Sequence, residues 1–199
     1  MSQKELENMR AGRQMRARVT EFRAGEAEGK RFIEGYFSVF GDIYELWQGA
    51  TESVDSHAFD ETINGDIRAL IDHETRLVIG RTKAGTLTLR IDSRGLWGRI
   101  EINENDIDAM NLWHRVQRGD VDQCSFGFNI TGEEMDVRED GSVHWTITKV
   151  DLFEVSCVTF PAYENTSIQA RKEQLQTVRN RQAEAWREKM KRRLKRNGS

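Results

Sequence analysis

Cysteine, proline and histidine are scarce in this chain of 199 residues, which has two, one and four of them. Two cysteines without CxxC spacing make neither a disulfide scaffold nor a thiolate zinc site, and the histidines lack HExxH spacing. We therefore expect no metal and no cofactor. No apolar run approaches the roughly 20 residues of a membrane-spanning helix. Residues 1–12 are too polar for a secretory signal, so we expect a cytoplasmic protein.

The net charge of −3 conceals an uneven distribution. Residues 31–170 carry 12 basic and 25 acidic side chains, a net charge of −13, whereas residues 171–199 carry a net charge of +8. An acidic body does not favour duplex nucleic acid as its partner. We divide the chain into a flexible N-terminal arm (1–30), one folded domain (31–170) and a basic helical tail (171–199).

The folded region is predicted to consist of short strands and few helices. The predicted strands are residues 31–40, 67–72, 77–80, 85–91, 96–102, 121–131 and 143–160. One helix is expected at 55–63, with Ala58, Phe59 and Ile63 facing inward. Another is expected at 104–118, with Asn103 as its cap, Gly119 at its end and an apolar stripe of Ile107, Met110, Trp113 and Val116. Strands that do not alternate with helices favour an antiparallel, barrel-like α+β fold.

Strand alternation separates two candidate nucleophiles, Cys124 and Ser125. On a strand through residues 121–131, Cys124 shares an apolar face with Phe126 and Phe128, while Ser125 lies on the more polar face with Gly127. We therefore expect Cys124 in the core and Ser125 at an accessible surface. Taken alone, the segment is more typical of an ordinary strand serine, and the GxSxG elbow of α/β hydrolases is absent.

A serine nucleophile needs a base and a group that orients the base. His73 follows an apolar strand at the start of a polar loop, where a side chain can meet a substrate, although a structural histidine would fit there too. Glu154 stands between Phe153 and Val155. A carboxylate in that setting is costly without a partner such as an imidazolium, unless the strand lies at a wet edge.

Six segments, in this order, resemble the prohead (capsid maturation) proteases of tailed phages, distant relatives of the herpesvirus assemblin proteases. They are GYFSVFGD (35–42), HAFDETI (57–63), ALIDHETRLVIGRTKAGTL (69–87), RGLW (94–97), RGDVDQCSFGF (118–128) and LFEVSCVTFPAY (152–163). The resemblance spans about residues 31–170. The sequence departs from the pattern at His57, where glycine is expected, and at Cys124, where methionine often precedes the serine.

The resemblance implies a serine endopeptidase of α+β class, mainly an antiparallel β-barrel of herpesvirus-assemblin type with a few flanking helices and a C-terminal helical tail. It implies His73 as base, Ser125 as nucleophile and Glu154 as third member, where the herpesvirus relatives have a second histidine. The implied substrates are the scaffold and the major capsid protein precursor. The enzyme would act in the host cytoplasm inside the assembling prohead, cleave itself, and form a homodimer or higher oligomer.

Three other functions are compatible with parts of the sequence. A non-catalytic capsid assembly or scaffold factor would need no convergence of Ser125, His73 and Glu154. A nucleic-acid binder acting through the basic tail would lose affinity steeply with salt, and the acidic body disfavours it. A cysteine protease using Cys124 is disfavoured by strand alternation.

Overall fold

A computed structural model describes residues 14–19, 22–160 and 165–197. The strands are β1 (Gln14–Val19), β2 (Arg23–Ala27), β3 (Lys30–Val39), β4 (Tyr44–Trp47), β5 (Ala50–Val54), β6 (Arg68–Ile71), β7 (Glu74–Arg81), β8 (Leu87–Ile91), β9 (Gly95–Glu101), β10 (Gln123–Val137) and β11 (Val143–Val158). The helices are α1 (Ile107–Arg118) and α2 (Asn165–Asn197), with a 3₁₀ turn at Thr82–Ala84. The protein is thus an α+β protein with many strands and few helices.

The strands form two sheets around one hydrophobic core. The larger sheet has the order β1-β10-β11-β5-β4, with β6 and β7 added beside the C-terminal half of β11, and the smaller has the order β2-β3-β9-β8. The long hairpin β10–β11 dominates the larger sheet and turns at Asp140–Gly141, as the sequence predicts. Most pairs are antiparallel, but β11 pairs in parallel with both β5 and β6.

Alternation along the strands explains which faces are buried. Ile33 and Phe37 of β3 and Phe126 and Phe128 of β10 all belong to the core and are at most 1% exposed. Cys124 lies with them, as predicted from its face of the strand. Burial of such side chains is the main favourable contribution to folding, at about 1.5–3 kcal/mol each.

The N-terminal region differs from the flexible arm expected for residues 1–30. Its described part contains β1, which pairs with β10, and β2, which pairs with β3. Neither strand has an apolar run, so their attachment depends on contacts made elsewhere in the chain. Arg16 of β1 forms a buried ion pair with Glu52 (Nε to Oε1, 2.5 Å), and Trp113 Nε1 donates a hydrogen bond to Gly25 O.

The segment predicted as a helix at residues 55–63 forms a series of turns instead. Its apolar residues nevertheless face inward as expected: Ala58 and Phe59 are buried and Ile63 packs against the core. The turns are stabilised by local bonds, among them Asp55 Oδ1 accepting from His57 N, which compete with a regular helix.

Helix α1 begins three residues later than the sequence suggests. Asp106, rather than Asn103, caps it by accepting from the amides of Asp108 and Ala109, and Gly119 ends it in a left-handed conformation as expected. Trp113 and Val116 are buried as predicted, but Ile107 is 77% exposed. Ile107 is the first residue of the helix, and at this position the apolar stripe does not yet face the core.

Helix α2 extends over the predicted tail and starts before residue 171. It belongs to a different compact unit from the strands and α1, which lie within residues 11–163. Trp186 on this helix is 60% exposed. Of the helices in the described part of the chain, none is long and apolar enough to cross a membrane.

Candidate active site

His73 lies in a two-residue turn between β6 and β7. Asp72 and His73 both have positive φ, 47° and 62°, between the paired residues Ile71 and Glu74. Two positive φ values are typical of a type I′ hairpin turn, in which Asp and His tolerate the left-handed conformation better than most residues. Such a conformation costs on the order of 1–3 kcal/mol per residue and persists where surrounding contacts hold it.

The contacts that hold this turn come from the end of β11. Asp72 N donates to Cys157 O (2.9 Å), and Asp72 Oδ1 accepts from Thr159 N (2.7 Å). β6 itself pairs in parallel with residues 154–157 of β11. Both β6 and the turn that carries His73 are therefore attached to the end of β11. These two attachments fix the position of the imidazole relative to that strand.

Glu154 on β11 accepts hydrogen bonds at both carboxylate oxygens. His73 Nδ1 lies 2.6 Å from Oε1, and Ser156 Oγ donates to Oε2 over 2.5 Å. Glu154 is 1% exposed and Ser156 is fully buried. The sequence predicts a compensating partner for this carboxylate, and the imidazole and the serine hydroxyl together supply it. With Nδ1–H donated to Glu154, the neutral ring leaves Nε2 as an acceptor.

Ser125 lies on the same face of the sheet as this pair. It is directly opposite Ser156 in the β10–β11 register, while Gly127 is opposite Glu154 and places no side chain beside it. Directly opposed residues of antiparallel strands point to one face. β11 thus lies between β10, which carries Ser125, and β6, which is followed by the turn that carries His73.

Ser125 is fully buried, whereas the alternation of the strand predicted an accessible surface. The separation of Cys124 and Ser125 onto opposite faces is correct. The prediction was wrong about the polar face of β10, which is covered and not accessible. β10 is an interior strand between β1 and β11, and its polar residues can be buried because Ser156, Glu154 and His73 satisfy one another there.

Two atoms of this cluster remain unsatisfied. Ser125 Oγ and His73 Nε2 are both buried, and neither has a hydrogen-bond partner within residues 14–19, 22–160 and 165–197. Buried polar atoms of this kind are uncommon and need an explanation, of which a catalytic role is one. In unliganded enzymes the bond between nucleophile and base is often long and shortens when substrate binds.

The other three histidines have different partners. His57 is exposed and contacts Asp60, which raises its pKa. His114 packs against its neighbour Trp113. His144 lies between the hydroxyls of Thr51 and Ser53, 2.8 and 2.9 Å from its ring nitrogens, and burial followed by Arg138 lowers its pKa. Of all four histidines, His73 is the one whose ring is within hydrogen-bond distance of a buried carboxylate among the described residues.

The two cysteines form no disulfide and are fully buried, opposite each other on β10 and β11. Burial raises the pKa of Cys157 well above its ordinary value, and electrostatic interactions with Cys124, Asp72 and Glu154 raise it further. A thiol nucleophile reacts as the thiolate. These two buried cysteines are therefore poor candidates for a thiolate nucleophile.

Within the described residues, no three His, Cys, Asp or Glu side chains are arranged to hold a metal ion. The arrangement of hydroxyl, imidazole and carboxylate has the components of nucleophilic catalysis, in which a base activates a hydroxyl and an acidic group orients the base. Ser156 as the second partner of Glu154 is the component that sequence reasoning missed. Its signal was the spacing of two, which places both side chains on one face of β11.

Comparison with known proteins identifies the family. A model of the family described as caudovirus prohead serine protease matches residues 18–181. The prohead protease of Enterobacteria phage HK97 is 28% identical over 160 residues, which cover 77% of this chain and 67% of that protein. The bacteriophage T4 capsid assembly protease has a solved structure with a TM-score of 0.44 and 11% identity, covering 73% of this chain and 98% of that chain. Since the family model matches most of its length, the chain belongs to the caudovirus prohead serine protease family.

Proposed function

We propose that this protein is the serine endopeptidase that processes the scaffold and the major capsid protein precursor while a phage prohead matures. Membership of the prohead serine protease family supports this role. The observation that carries the assignment of residues is the connected set His73–Glu154–Ser156, with the Ser125 hydroxyl, which has no hydrogen-bond partner among the described residues, directly opposite Ser156.

In the proposed mechanism, Ser125 Oγ attacks the scissile carbonyl carbon and His73 Nε2 takes the hydroxyl proton. The tetrahedral intermediate collapses as His73 returns that proton to the leaving amine, so the peptide bond breaks and an acyl-enzyme remains. Water then attacks the ester, His73 removing its proton and passing it to Ser125 Oγ. Glu154 keeps the Nδ1 proton in place and stabilises the imidazolium.

The proposal extends to the setting of the reaction. The protease unit comprises β1 to β11 and α1, its two sheets forming a barrel of assemblin type, and the basic helix α2 is a tail. The enzyme acts inside the assembling prohead in the host cytoplasm as a homodimer or higher oligomer, and cleaves its own chain as well as the capsid proteins. Two mainly antiparallel sheets around a single core support the barrel assignment.

A fluorophosphonate probe tests for an activated serine. We expect one adduct on Ser125 in the wild-type protein at high concentration, located by peptide mapping, and none in Ser125→Ala. Ser53→Ala is the matched control, because Ser53 also contacts a histidine, with its Oγ 2.9 Å from His144 Nε2. Labelling of Ser53, or no labelling of any serine, would contradict the assignment.

Co-expression with the capsid protein precursor tests the substrate. We expect wild-type enzyme to shorten the precursor and Ser125→Ala to leave it intact, with the new termini defined by mass spectrometry. The intact mass of the enzyme itself, compared between these two proteins, reports self-cleavage. A precursor that stays intact while Ser125 labels normally would contradict the substrate and leave the catalytic assignment standing.

Ser156 is proposed as a positioning residue. Ser156→Ala removes the 2.5 Å hydrogen bond to Glu154 Oε2 and leaves a buried oxygen without that donor. Hydrogen bonds to charged groups are worth about 1.5–3 kcal/mol, so we expect kcat to fall by roughly ten- to a hundredfold with little change in KM. Ser156→Thr keeps the hydroxyl and should recover most of the rate. Equal rates for the alanine and threonine variants would refute this role.

A further inference from the structure

The outer face of the smaller sheet carries alternating arginine and aromatic side chains. Ile33 and Phe37 of β3 and Leu96 and Ile100 of β9 point into the core. The residues between them therefore face the other way. On this outer face are Phe32, Glu34 and Tyr36 of β3, Trp97 and Arg99 of β9, and Arg90 of β8.

Three arginines lie over three aromatic rings of this face. The guanidinium carbons of Arg90, Arg94 and Arg99 are 4.0, 4.6 and 3.6 Å from the ring centroids of Trp97, Tyr36 and Phe32, respectively. A guanidinium stacked over a ring still presents N–H donors at the edge of the guanidinium group. Those donors can bind a carboxylate through two parallel hydrogen bonds. These ring contacts therefore hold cationic groups on this face, and Arg99 is in addition paired with Glu34.

Arg90, Trp97 and Tyr36 of this face line a cavity of about 470 Å³. Arg23 and Glu34 line one side, Trp97 and Arg90 line the other, and Gly35 contributes only backbone. Its volume lies within the range of about 300–1,000 Å³ typical of ligand-binding pockets. Its lining combines aromatic rings, two guanidinium groups and the Glu34 carboxylate, which Arg23 and Arg99 already bind, so it fits an apolar side chain with an acidic neighbour that Arg90 can bind.

The charge of this face opposes that of the body. Arg23 and Arg99 both bond to Glu34, and Asp92 accepts from Tyr36 and from the amides of Arg94 and Gly95. Arg90 is exposed and forms no ion pair with any described residue. The face is therefore a cationic surface on a region whose net charge is −13.

We propose that this surface, the docking face, binds an acidic segment of the polypeptide substrate at a distance from the scissile bond. The inference rests on the proposed function. Charge complementarity favours carboxylates as the ligand groups, and the cavity accepts one apolar side chain among them. Single-stranded nucleic acid fits less well, because guanidinium groups already cover the ring faces on which bases would stack.

Binding to the full-length Ser125→Ala protein tests the docking face independently of catalysis. The probe is a fluorescein-labelled glutamate-rich peptide with one phenylalanine, and its counterpart has glutamine at every glutamate. We expect the acidic peptide to bind at least about tenfold more tightly, and to lose about tenfold in affinity in Arg90→Gln, since each charged hydrogen bond is worth about that factor. Arg76→Gln removes another exposed arginine, on β7, and should change nothing.

Two results would overturn the docking face. One is equal affinity of the two peptides, or an affinity that Arg90→Gln does not alter. The other is tighter, Arg90-dependent binding of a labelled single-stranded oligonucleotide than of the acidic peptide. Both measurements use protein without the candidate nucleophile. A failure here therefore leaves the labelling of Ser125 untouched, and a failure of labelling leaves the binding result valid.

Discussion

Ser125→Ala is expected to lower substrate cleavage by on the order of a millionfold, the loss seen when the nucleophile of a serine–histidine unit is removed. The same change should not destabilise the fold. Ser125 Oγ is buried and has no hydrogen-bond partner among the described residues, so alanine removes an unsatisfied polar atom. We therefore expect an unchanged or slightly higher Tm together with nearly complete loss of cleavage, measured by thermal unfolding and by product analysis.

The combination is more informative than the loss alone. A destabilised variant would also lose activity, but its Tm would fall. His73→Ala should match Ser125→Ala in cleavage, and the double variant should be no worse than either, because the residues act as one unit. Cleavage by Ser125→Ala within about tenfold of wild type would exclude Ser125 as the nucleophile.

Glu154→Gln is expected to lower kcat by about ten-thousandfold, the loss seen when a triad carboxylate is replaced by its amide. A glutamine can turn its NH₂ group towards His73 Nδ1, which favours the tautomer with the proton on Nε2. That tautomer cannot accept the Ser125 proton. The site keeps its shape, so KM should change little, and steady-state kinetics with a peptide containing the mapped cleavage site measures both constants.

Glu74→Gln provides the matched control for Glu154→Gln. Glu74 directly follows His73 in the chain, but its side chain is 56% exposed and contacts Arg76. Its replacement should leave kcat and KM unchanged. If Glu154→Gln retained more than about a tenth of the wild-type kcat, the hydrogen bond of 2.6 Å between His73 and Glu154 would be structural only.

The sequence was informative where one strand sufficed to decide the question. Alternation placed Cys124 in the core and Ser125 on the other face, and the carboxylate beside Phe153 was expected to have a partner unless its strand lay at a wet edge. The burial of Ser125 could not be predicted in this way, because it depends on β1 and β11, which are distant in sequence. The left-handed turn at Asp72–His73 is also set from outside, by Cys157 and Thr159.

Weak local patterns account for the other errors. β1 and β2 have polar sequences, and their attachment depends on Glu52 and Trp113, which no local pattern indicates. Residues 55–63 have the apolar spacing of a helix but form turns. The spacing does not distinguish the two, because Ala58 and Phe59 are buried in the turns as they would be in a helix. Ile107 matched the spacing of its stripe but lies at the first helical position, where the helix has not yet reached the core.

The parallel pairing of β6 with the end of β11 has a consequence for the newly synthesised protein. Glu154 leaves the ribosome 81 positions after His73, and β11 is the strand that joins β6 and β7 to the rest of the larger sheet. Contacts this distant in sequence are slow to form, because the entropy of closing a long loop opposes them. Until residue 154 has been synthesised, the imidazole of His73 has no carboxylate partner. A nascent chain that has not reached that point therefore lacks one member of the proposed catalytic set.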